Sequence, residues 1–329
     1  MMNADEEVAS FQRVFSTAVD HIHKSIIGQN DAIEYALIGL VAGGHVLLEG
    51  APGLGKTRLV KTLSRVFNLQ FSRIQFTPDL MPADILGTTM MSQNDRNERS
   101  FAFQPGPIFG NIVLADEVNR GTPKTQSALL EAMEEQGVTI QGRRYAMPAP
   151  FFIMATQNPI EMEGVYPLPE AQLDRFMFKI EVSAPAAAEM RSIIDVPVRE
   201  AESKPLFKTE DLLALQRTLA RVPTASHIKD YVVRLYRATH PDAIEAPSIT
   251  KKYIRYGVSP RGAQALLLAA RAWALISGRF NVSVQDIQRA ALPVLRHRIM
   301  RNFEAEAAKV TTADVIAELV RSVPELPER

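Results

Sequence analysis

The chain has 329 residues, of which 46% are hydrophobic and 22% are charged, so it can bury a sizeable core and lacks the composition of a disordered protein. It carries 37 basic residues, 37 acidic residues and no cysteine. The charge balance excludes a strong overall field for nucleic acid or an anionic membrane, and the lack of cysteine excludes disulfides, thiolate metal sites and iron–sulfur clusters.

The pattern of apolar residues predicts neither a secretory signal nor a membrane segment. Asp5, Glu6 and Glu7 stand where a signal peptide would need a basic start followed by an apolar core. The longest apolar stretch, residues 36–48, is interrupted by glycine and by His45 and is too short to span a bilayer. We therefore expect no membrane segment and a cytoplasmic location.

Short β-branched and aromatic runs alternate with helical patterns in the first part of the chain, which is typical of a parallel sheet covered by helices on both faces. The predicted strands are residues 46–48, 71–76, 112–115, 151–156 and 176–182. Between them, helices are predicted from Thr57 and over residues 125–135, because apolar residues recur there at the spacing of one helix face. The predicted fold class is therefore α/β with a five-stranded parallel sheet.

Helix signals dominate after residue 183, so we predict a domain boundary there. Residues 1–183 would form the α/β domain and residues 184–329 an all-helical second domain. The predicted helices of the second domain are residues 189–200, 209–220, 226–239, 261–277, 283–297 and 312–320.

Residues 50–57 read Gly-Ala-Pro-Gly-Leu-Gly-Lys-Thr, the complete G-x-x-x-x-G-K-[ST] pattern, between a predicted strand and a predicted helix. Glycines let backbone N–H groups turn toward phosphate oxygens, Lys56 would reach the β- and γ-phosphates, and the Thr57 hydroxyl would hold Mg²⁺. The sequence therefore predicts a nucleotide triphosphate site with Mg²⁺. The predicted binding residues in this segment are Gly50, Ala51, Pro52, Gly53, Leu54, Gly55, Lys56, Thr57 and Arg58.

The predicted strand 112–115 ends in two carboxylates, Asp116 and Glu117. The carboxyl ends of parallel strands meet at one sheet edge, which is also where a phosphate loop lies. Asp116 is predicted to hold Mg²⁺ through water, and Glu117 to orient and deprotonate the attacking water. The second acid is the feature that distinguishes hydrolysis from binding alone.

Three more polar residues are candidates for contact with the phosphates. Asn158 follows the predicted strand 151–156, Arg175 precedes the last predicted strand, and Arg261 begins a helix of the second domain. An amide at that sheet edge suits the γ-phosphate or its water, and guanidinium groups suit phosphate charge. A single arginine, however, is more often part of a surface ion pair.

Together these motifs resemble the MoxR family of AAA+ ATPases over almost the whole chain. The likeness also includes the segments Ile26-Ile-Gly-Gln29, Leu114-Ala-Asp-Glu-Val-Asn-Arg120, Ala155-Thr-Gln-Asn-Pro159, Leu168-Pro-Glu-Ala-Gln-Leu-Asp-Arg-Phe176 and Ser259-Pro-Arg261. By this resemblance Ile27, Gly28 and Gln29 line the adenine pocket, Asn158 is the sensor 1 residue and Arg261 is the sensor 2 arginine. Arg175 is the arginine finger that acts on the ATP of the next subunit, with Arg120 as the alternative.

The resemblance also implies a homo-oligomeric ring, usually a hexamer, that uses ATP and Mg²⁺. It implies a helix 2 insert at about residues 78–104 and a pre-sensor 1 hairpin at about residues 137–150, with Gly142 at the turn. The implied work is chaperone-like: remodelling or maturing protein clients, with cofactor or metal insertion, beside proteins that carry von Willebrand factor A domains on separate chains.

The sequence is also compatible with two other functions. Replicative helicase subunits share the insert and the hairpin, and Arg143 and Arg144 lie near the hairpin turn, so a nucleic-acid motor is one alternative. The balanced charge and the lack of a basic tail argue against it. The other alternative is a nucleotide-gated scaffold that binds ATP and barely hydrolyses it.

Overall fold

The structure, a computed structural model, describes residues 3–93, 99–159, 164–195 and 204–326. The strands in these residues are β1 (His45–Glu49), β2 (Phe71–Gln75), β3 (Gly87–Gln93), β4 (Arg99–Pro105), β5 (Ile112–Asp116), β6 (Gly137–Ile140), β7 (Arg143–Ala146), β8 (Phe152–Gln157), β9 (Phe176–Glu181), β10 (Ile254–Tyr256) and β11 (Met300–Arg301). The helices are α1 (Ala4–His23), α2 (Asn30–Ala42), α3 (Lys56–Val66), α4 (Pro82–Leu86), α5 (Pro123–Glu135), α6 (Glu170–Leu173), α7 (Ala187–Ile194), α8 (Thr209–Arg221), α9 (Ser226–Ala238), α10 (Ser248–Tyr253), α11 (Pro260–Ile276), α12 (Val284–Leu295), α13 (Phe303–Ala307) and α14 (Thr312–Ser322).

The central sheet has five parallel strands in the order β2-β5-β8-β1-β9. Its central strands are apolar because both faces of the sheet are covered; Val46, Leu47 and Leu48 of β1, for example, are fully buried. The five strands predicted from the sequence form this sheet, and the predicted α/β fold is confirmed.

Alternate residues of the strands enter two different hydrophobic cores, as the period of two in a strand requires. Leu48 lies in the larger core, which includes residues of α1, α2 and α3, and Leu47 lies in the smaller core, which includes residues of α4, α5 and β6. The larger core continues into α8, α9, α11, α12 and α14, where Trp273 is almost completely buried. The helices of the second part therefore share one core with one face of the sheet.

Over residues 184–195 and 204–326, the regular structure is helical apart from one antiparallel strand pair, β10 with β11. This short strand pair was not predicted from the sequence. Ile254 and Tyr256 favour extended backbone, but their partner strand, Met300–Arg301, is remote in sequence, so no local pattern indicates the pairing. The helix predicted over residues 189–200 corresponds to α7 at its start, and its end lies outside the described residues. The domain boundary near residue 183 stays a prediction.

Two antiparallel hairpins extend from the α/β part. The segment predicted as a helix 2 insert contains α4, β3 and β4, and residues 94–98 lie outside the described residues. The segment predicted as a pre-sensor 1 hairpin contains β6 and β7, joined through Gln141 and Gly142, both of which have positive φ. None of the helices in the described part of the chain combines the length and the apolar character that a bilayer crossing requires.

Candidate nucleotide-binding site

The segment between β1 and α3 is an open glycine-rich loop. Gly53 and Gly55 have φ values of 83° and 79°, in the left-handed region that favours glycine. A Cβ atom added at either position would meet nothing within 4 Å, so the loop borders open space rather than packed protein. Helix α3 begins directly after Gly55 without a side-chain cap. Its first N–H groups are therefore suited to bind an anion.

Gly50 fixes the base of this loop for a different reason. A Cβ atom at this position would lie 2.5 Å from the backbone oxygen of Val182, just after β9. The Gly50 N–H donates to the Gln157 oxygen at the end of β8, 3.2 Å away. The base of the loop is therefore held between the carboxyl ends of β8 and β9, the two strands that flank β1.

Lys56 connects the loop to the acidic residues of β5. Its Nζ donates to the Gly50 carbonyl at 2.6 Å. Desolvation by burial lowers the pKa of Lys56, and the negative charges of Asp116 and Glu117 act in the opposite direction. The ammonium group is thus within electrostatic range of both carboxylates.

Asp116, at the end of β5, is buried and bound on both carboxylate oxygens. Oδ1 accepts from the Thr156 hydroxyl at 2.6 Å, and Oδ2 accepts from the Arg73 guanidinium at 2.6 Å. Neither partner was predicted from the sequence; Thr156 lies on β8 and Arg73 on β2, the strands on either side of β5. In the sequence each is a polar residue within a predicted strand, which does not indicate its partner.

Glu117 follows Asp116 with a φ of 56°, which is uncommon for a residue other than glycine. Its N–H donates to the Thr156 hydroxyl oxygen at 2.9 Å, so Thr156 contacts both acidic residues. The Glu117 carboxylate accepts from Gln75 Nε2 at 2.8 Å and pairs with Arg120 Nε at 3.3 Å. Arg120, the alternative candidate for the arginine finger, therefore lies beside the Glu117 of its own subunit.

Asn158 directly follows β8 and is buried. Its backbone oxygen accepts from Asn119 Nδ2 at 3.3 Å. Because Gly50 bonds to the adjacent Gln157, Asn158 emerges at the same sheet edge as the phosphate loop. Lys56, Asp116, Glu117 and Asn158 are thus brought to one edge. Thr57 and Arg58 lie in the first turn of α3.

The segment predicted to line an adenine pocket contacts the loop directly. Gln29, with a φ of 53°, donates from Nε2 to the Leu54 oxygen at 2.8 Å. A cavity of about 320 Å³ adjoins this contact and is lined by residues 29–32, residues 181–185 and Glu189. Gly28 lies under Glu189, whose Oε1 would be 2.6 Å from an added Cβ. Ile27, the residue before Gly28, is half-buried.

Arg175 and Arg261 lie together at the opposite edge of the sheet. Both bind Glu134 of α5, Arg175 to Oε2 at 2.7 Å and Arg261 to Oε1 at 2.6 Å. They line a cavity of about 260 Å³ with Gly44 and His45, at the start of β1. The phosphate loop follows the end of β1, so the strand length, about 15 Å, separates the two places. The structure does not bring these arginines to the phosphate loop of their own subunit.

The loop, the acidic pair at the same sheet edge and the helical second part define a P-loop nucleotide-binding protein with a lid. Residues 45–178 match the model of the "ATPase family associated with various cellular activities (AAA)", and residues 246–319 match that of the "AAA lid domain". The fold is similar to the crystal structure of a candidate ATPase from Cytophaga hutchinsonii, with a TM-score of 0.90 and 38% sequence identity over 99% of this chain and 98% of that one.

Curated relatives make the assignment more specific. The chain is 44% identical to the chaperone MoxR1 of Mycobacterium tuberculosis over 97% of its own length and 84% of that protein. It is 31% identical to the protein MoxR of Paracoccus denitrificans over 90% of its length and 91% of that protein. The chain belongs to the MoxR family of AAA+ ATPases, which confirms the family predicted from the sequence.

Proposed function

We propose that this chain hydrolyses ATP in a ring of identical subunits and uses the reaction to remodel partner proteins. The observation that carries the proposal is the meeting of Lys56, Asp116 and Glu117 beside an open glycine loop. A loop and a lysine suffice to bind phosphates, whereas hydrolysis also needs a base for the attacking water.

Each residue at this edge has a proposed role. The loop N–H groups and Lys56 bind the phosphates, and Ile27, Gly28 and Gln29 border the base. The hydroxyl of Thr57 and the carboxylate of Asp116 are oxygen ligands of the kind that Mg²⁺ prefers, with Asp116 acting through water because both of its oxygens are already hydrogen-bonded. Mg²⁺, when bound, neutralises phosphate charge. Glu117 accepts the proton of the attacking water, and Asn158 helps to orient that water.

The arginine pair is proposed to act on a neighbouring subunit. Arg175 and Arg261 lie at the sheet edge away from their own phosphate loop, where a second subunit can present its nucleotide. Guanidinium groups supplied in this way stabilise the charge that develops on the transferred phosphoryl group. In a closed ring, proposed to be a hexamer, every subunit supplies its arginines to one neighbour and receives those of the other neighbour at its own nucleotide site.

The clients of this ring are proposed to be protein complexes in the cytoplasm. The relative named chaperone MoxR1 supports protein remodelling as the output. We further propose von Willebrand factor A domain proteins on separate chains as partners and cofactor or metal insertion as one form of the maturation.

Two substitutions test hydrolysis. Glu117→Gln is expected to bind ATP normally and to lower turnover at least about a hundredfold, because it removes the base and keeps the size of the side chain. Lys56→Ala is expected to abolish ATP binding. ATP binding measured by calorimetry and phosphate release measured at steady state separate the two effects.

Glu304→Gln and Lys229→Ala, at exposed positions of the second part, are matched controls that should bind and hydrolyse ATP like the wild type. Wild-type turnover by Glu117→Gln would show that the base is misassigned. A wild-type protein that binds ATP without turnover, even with added client, would instead support the nucleotide-gated scaffold.

A further inference from the structure

Asp174, the residue directly before Arg175, is bound by side chains from the second part of the chain. Ser259 Oγ lies 2.8 Å and 2.9 Å from its two carboxylate oxygens, and Arg298 Nε donates to Oδ1 at 2.7 Å. Arg261 lies 4.0 Å from Oδ2. One carboxylate of the α/β part thus joins three side chains of the lid.

Arg298 makes this contact between Asp174 and the lid rigid. Its side chain is only 2% exposed, although arginine is rarely buried so completely. Its remaining N–H groups donate to the backbone oxygens of Asp174 at 2.8 Å, Phe176 at 2.6 Å and Met177 at 3.1 Å, and to that of Val294 in α12. A buried guanidinium bound by a carboxylate and several carbonyls holds its partners much more firmly than a surface ion pair does. The end of α12 and the start of β9 are therefore fastened together.

The side chain of Arg175 has a second restraint. Its guanidinium binds Glu134, which also binds Arg261 of the lid. The backbone before Arg175 is thus held by Arg298 through Asp174, and its side chain shares a carboxylate with a lid arginine. Residues of the lid therefore restrain both the backbone before Arg175, through Asp174, and its side chain, through Glu134.

We propose that Arg298 is a positioning residue for the arginine finger: by holding Asp174, it lets the lid of one subunit set the position of Arg175 in the active site of the next. The inference rests on the proposed action of Arg175 on a neighbouring subunit. Displacement of a catalytic group by about 1 Å can lower a rate about a hundredfold. Loss of the Arg298–Asp174 contact is therefore expected to reduce turnover, although Arg175 itself is still present.

Mixed rings test this proposal, because they separate the subunit that donates the finger from the subunit that hydrolyses. The donor carries Glu117→Gln and has an intact Arg175, whereas the acceptor carries Arg175→Ala and has an intact Glu117. Each is expected to be inactive alone, and mixing is expected to restore turnover at donor–acceptor contacts. Arg298→Met is then added to either the donor or the acceptor, and phosphate release is measured at saturating ATP.

Arg298→Met in the donor is expected to lower the restored turnover about tenfold or more, whereas in the acceptor it is expected to lower it less than about threefold. A merely structural role would give equal losses on the two sides. Arg279→Met in the donor is the matched control, because Arg279 pairs with Asp286 within the lid, and it should keep the restored turnover. Arg298→Lys keeps the charge but not the fork of donors, and it is expected to give a smaller loss, again only in the donor.

If Arg298→Met fails to fold, as judged by circular dichroism and thermal denaturation, Arg298→Lys decides the question. Equal losses in donor and acceptor, or full restoration by the Arg298→Met donor, would overturn the proposal. Failure of the unmodified donor to restore any turnover would instead overturn the action of Arg175 on a neighbour, and the inference would fall with it.

Discussion

A single hydroxyl group organises the acidic side of the candidate site. Thr156 donates to the Asp116 carboxylate and accepts from the Glu117 N–H, so one side chain near the end of β8 positions the last residue of β5 and the residue that follows it. The sequence predicted the two acids and the strand that carries Thr156. It could not predict the contact, because its partners are about 40 residues apart in the chain and meet only when the strands pair in register.

The buried histidine His45 leads to a prediction about stability at low pH. Its Nδ1 accepts from the Ile153 N–H at 3.0 Å, so the ring proton lies on Nε2, which faces the Met133 oxygen at 3.3 Å. Burial lowers the pKa of His45 to about 4 from the usual 6.5. Between these values the unfolded chain binds more protons than the folded one, so the free energy of unfolding falls as pH decreases. Burial also lowers the pKa of His297, which acts in the same direction.

His45→Gln is therefore expected to weaken this pH dependence. The loss in unfolding free energy between pH 7 and pH 4.5 should be smaller in the variant by about 2 kcal/mol, since a neutral amide takes up no proton. Urea denaturation at the two pH values measures the difference. His227→Gln, at an exposed position, should retain the wild-type dependence. An undiminished dependence in His45→Gln would mean that this histidine does not resist protonation in the folded protein.

Among the helices, strands and loops, local sequence patterns predicted those elements that depend on neighbouring residues in the chain. The five core strands are continuous apolar runs, and the loop before α3 has a distinctive spacing, so both were predicted. The position of Arg261 was not predicted, because it depends on where the start of α11 lies relative to Glu134 near the end of α5, which binds it. Arg298 and Arg73 were missed for the same reason: each is an ordinary arginine in the sequence, and only tertiary packing gives it a carboxylate partner.

Two glycines of the phosphate loop should respond differently to the same substitution. Gly50→Ala is expected to cost about 2 kcal/mol of unfolding free energy, because its methyl group meets the backbone of Val182 and the loop or β9 must shift. Gly53→Ala meets no atom, so its cost should be limited to about 1 kcal/mol for the left-handed backbone. Its methyl group instead enters the space proposed for phosphates, and ATP binding should weaken. Denaturant unfolding without nucleotide and calorimetric ATP titration measure the two effects.

The contrast between the two variants is the decisive result for this loop. Gly53→Ala and Gly50→Ala with equal losses of stability would contradict the assignment of Gly50 to packing. Unchanged ATP affinity in Gly53→Ala would contradict the use of the open space by the nucleotide.

Across the whole molecule, the sheet carries two chemically different edges. The carboxyl edge holds the loop, Lys56 and the acids, and the amino edge holds Arg175 and Arg261 with Glu134 between them. Within one subunit, the phosphate loop and acidic residues therefore lie at one edge of the sheet and the arginine pair at the other. This division is the reason to expect that activity belongs to the assembly rather than to one chain.

The balance of charge over the whole molecule favours protein remodelling over movement along nucleic acid. The chain has equal numbers of acidic and basic residues, and binding to a phosphate backbone depends on clustered positive charge. The two arginines of the β6–β7 hairpin already have contacts: Arg144 donates to the Glu135 oxygen at 2.9 Å, and Arg143 lies 5.3 Å from the centre of the Tyr145 ring.

We therefore expect single- or double-stranded DNA to change ATP turnover by less than about twofold, even at roughly 50 mM salt, where phosphate contacts are strongest. Turnover is measured with and without DNA, with Arg143→Ala and Arg144→Ala as companion variants. Stimulation that is lost at roughly 200 mM salt and in both variants would identify the hairpin as a DNA contact and favour the motor.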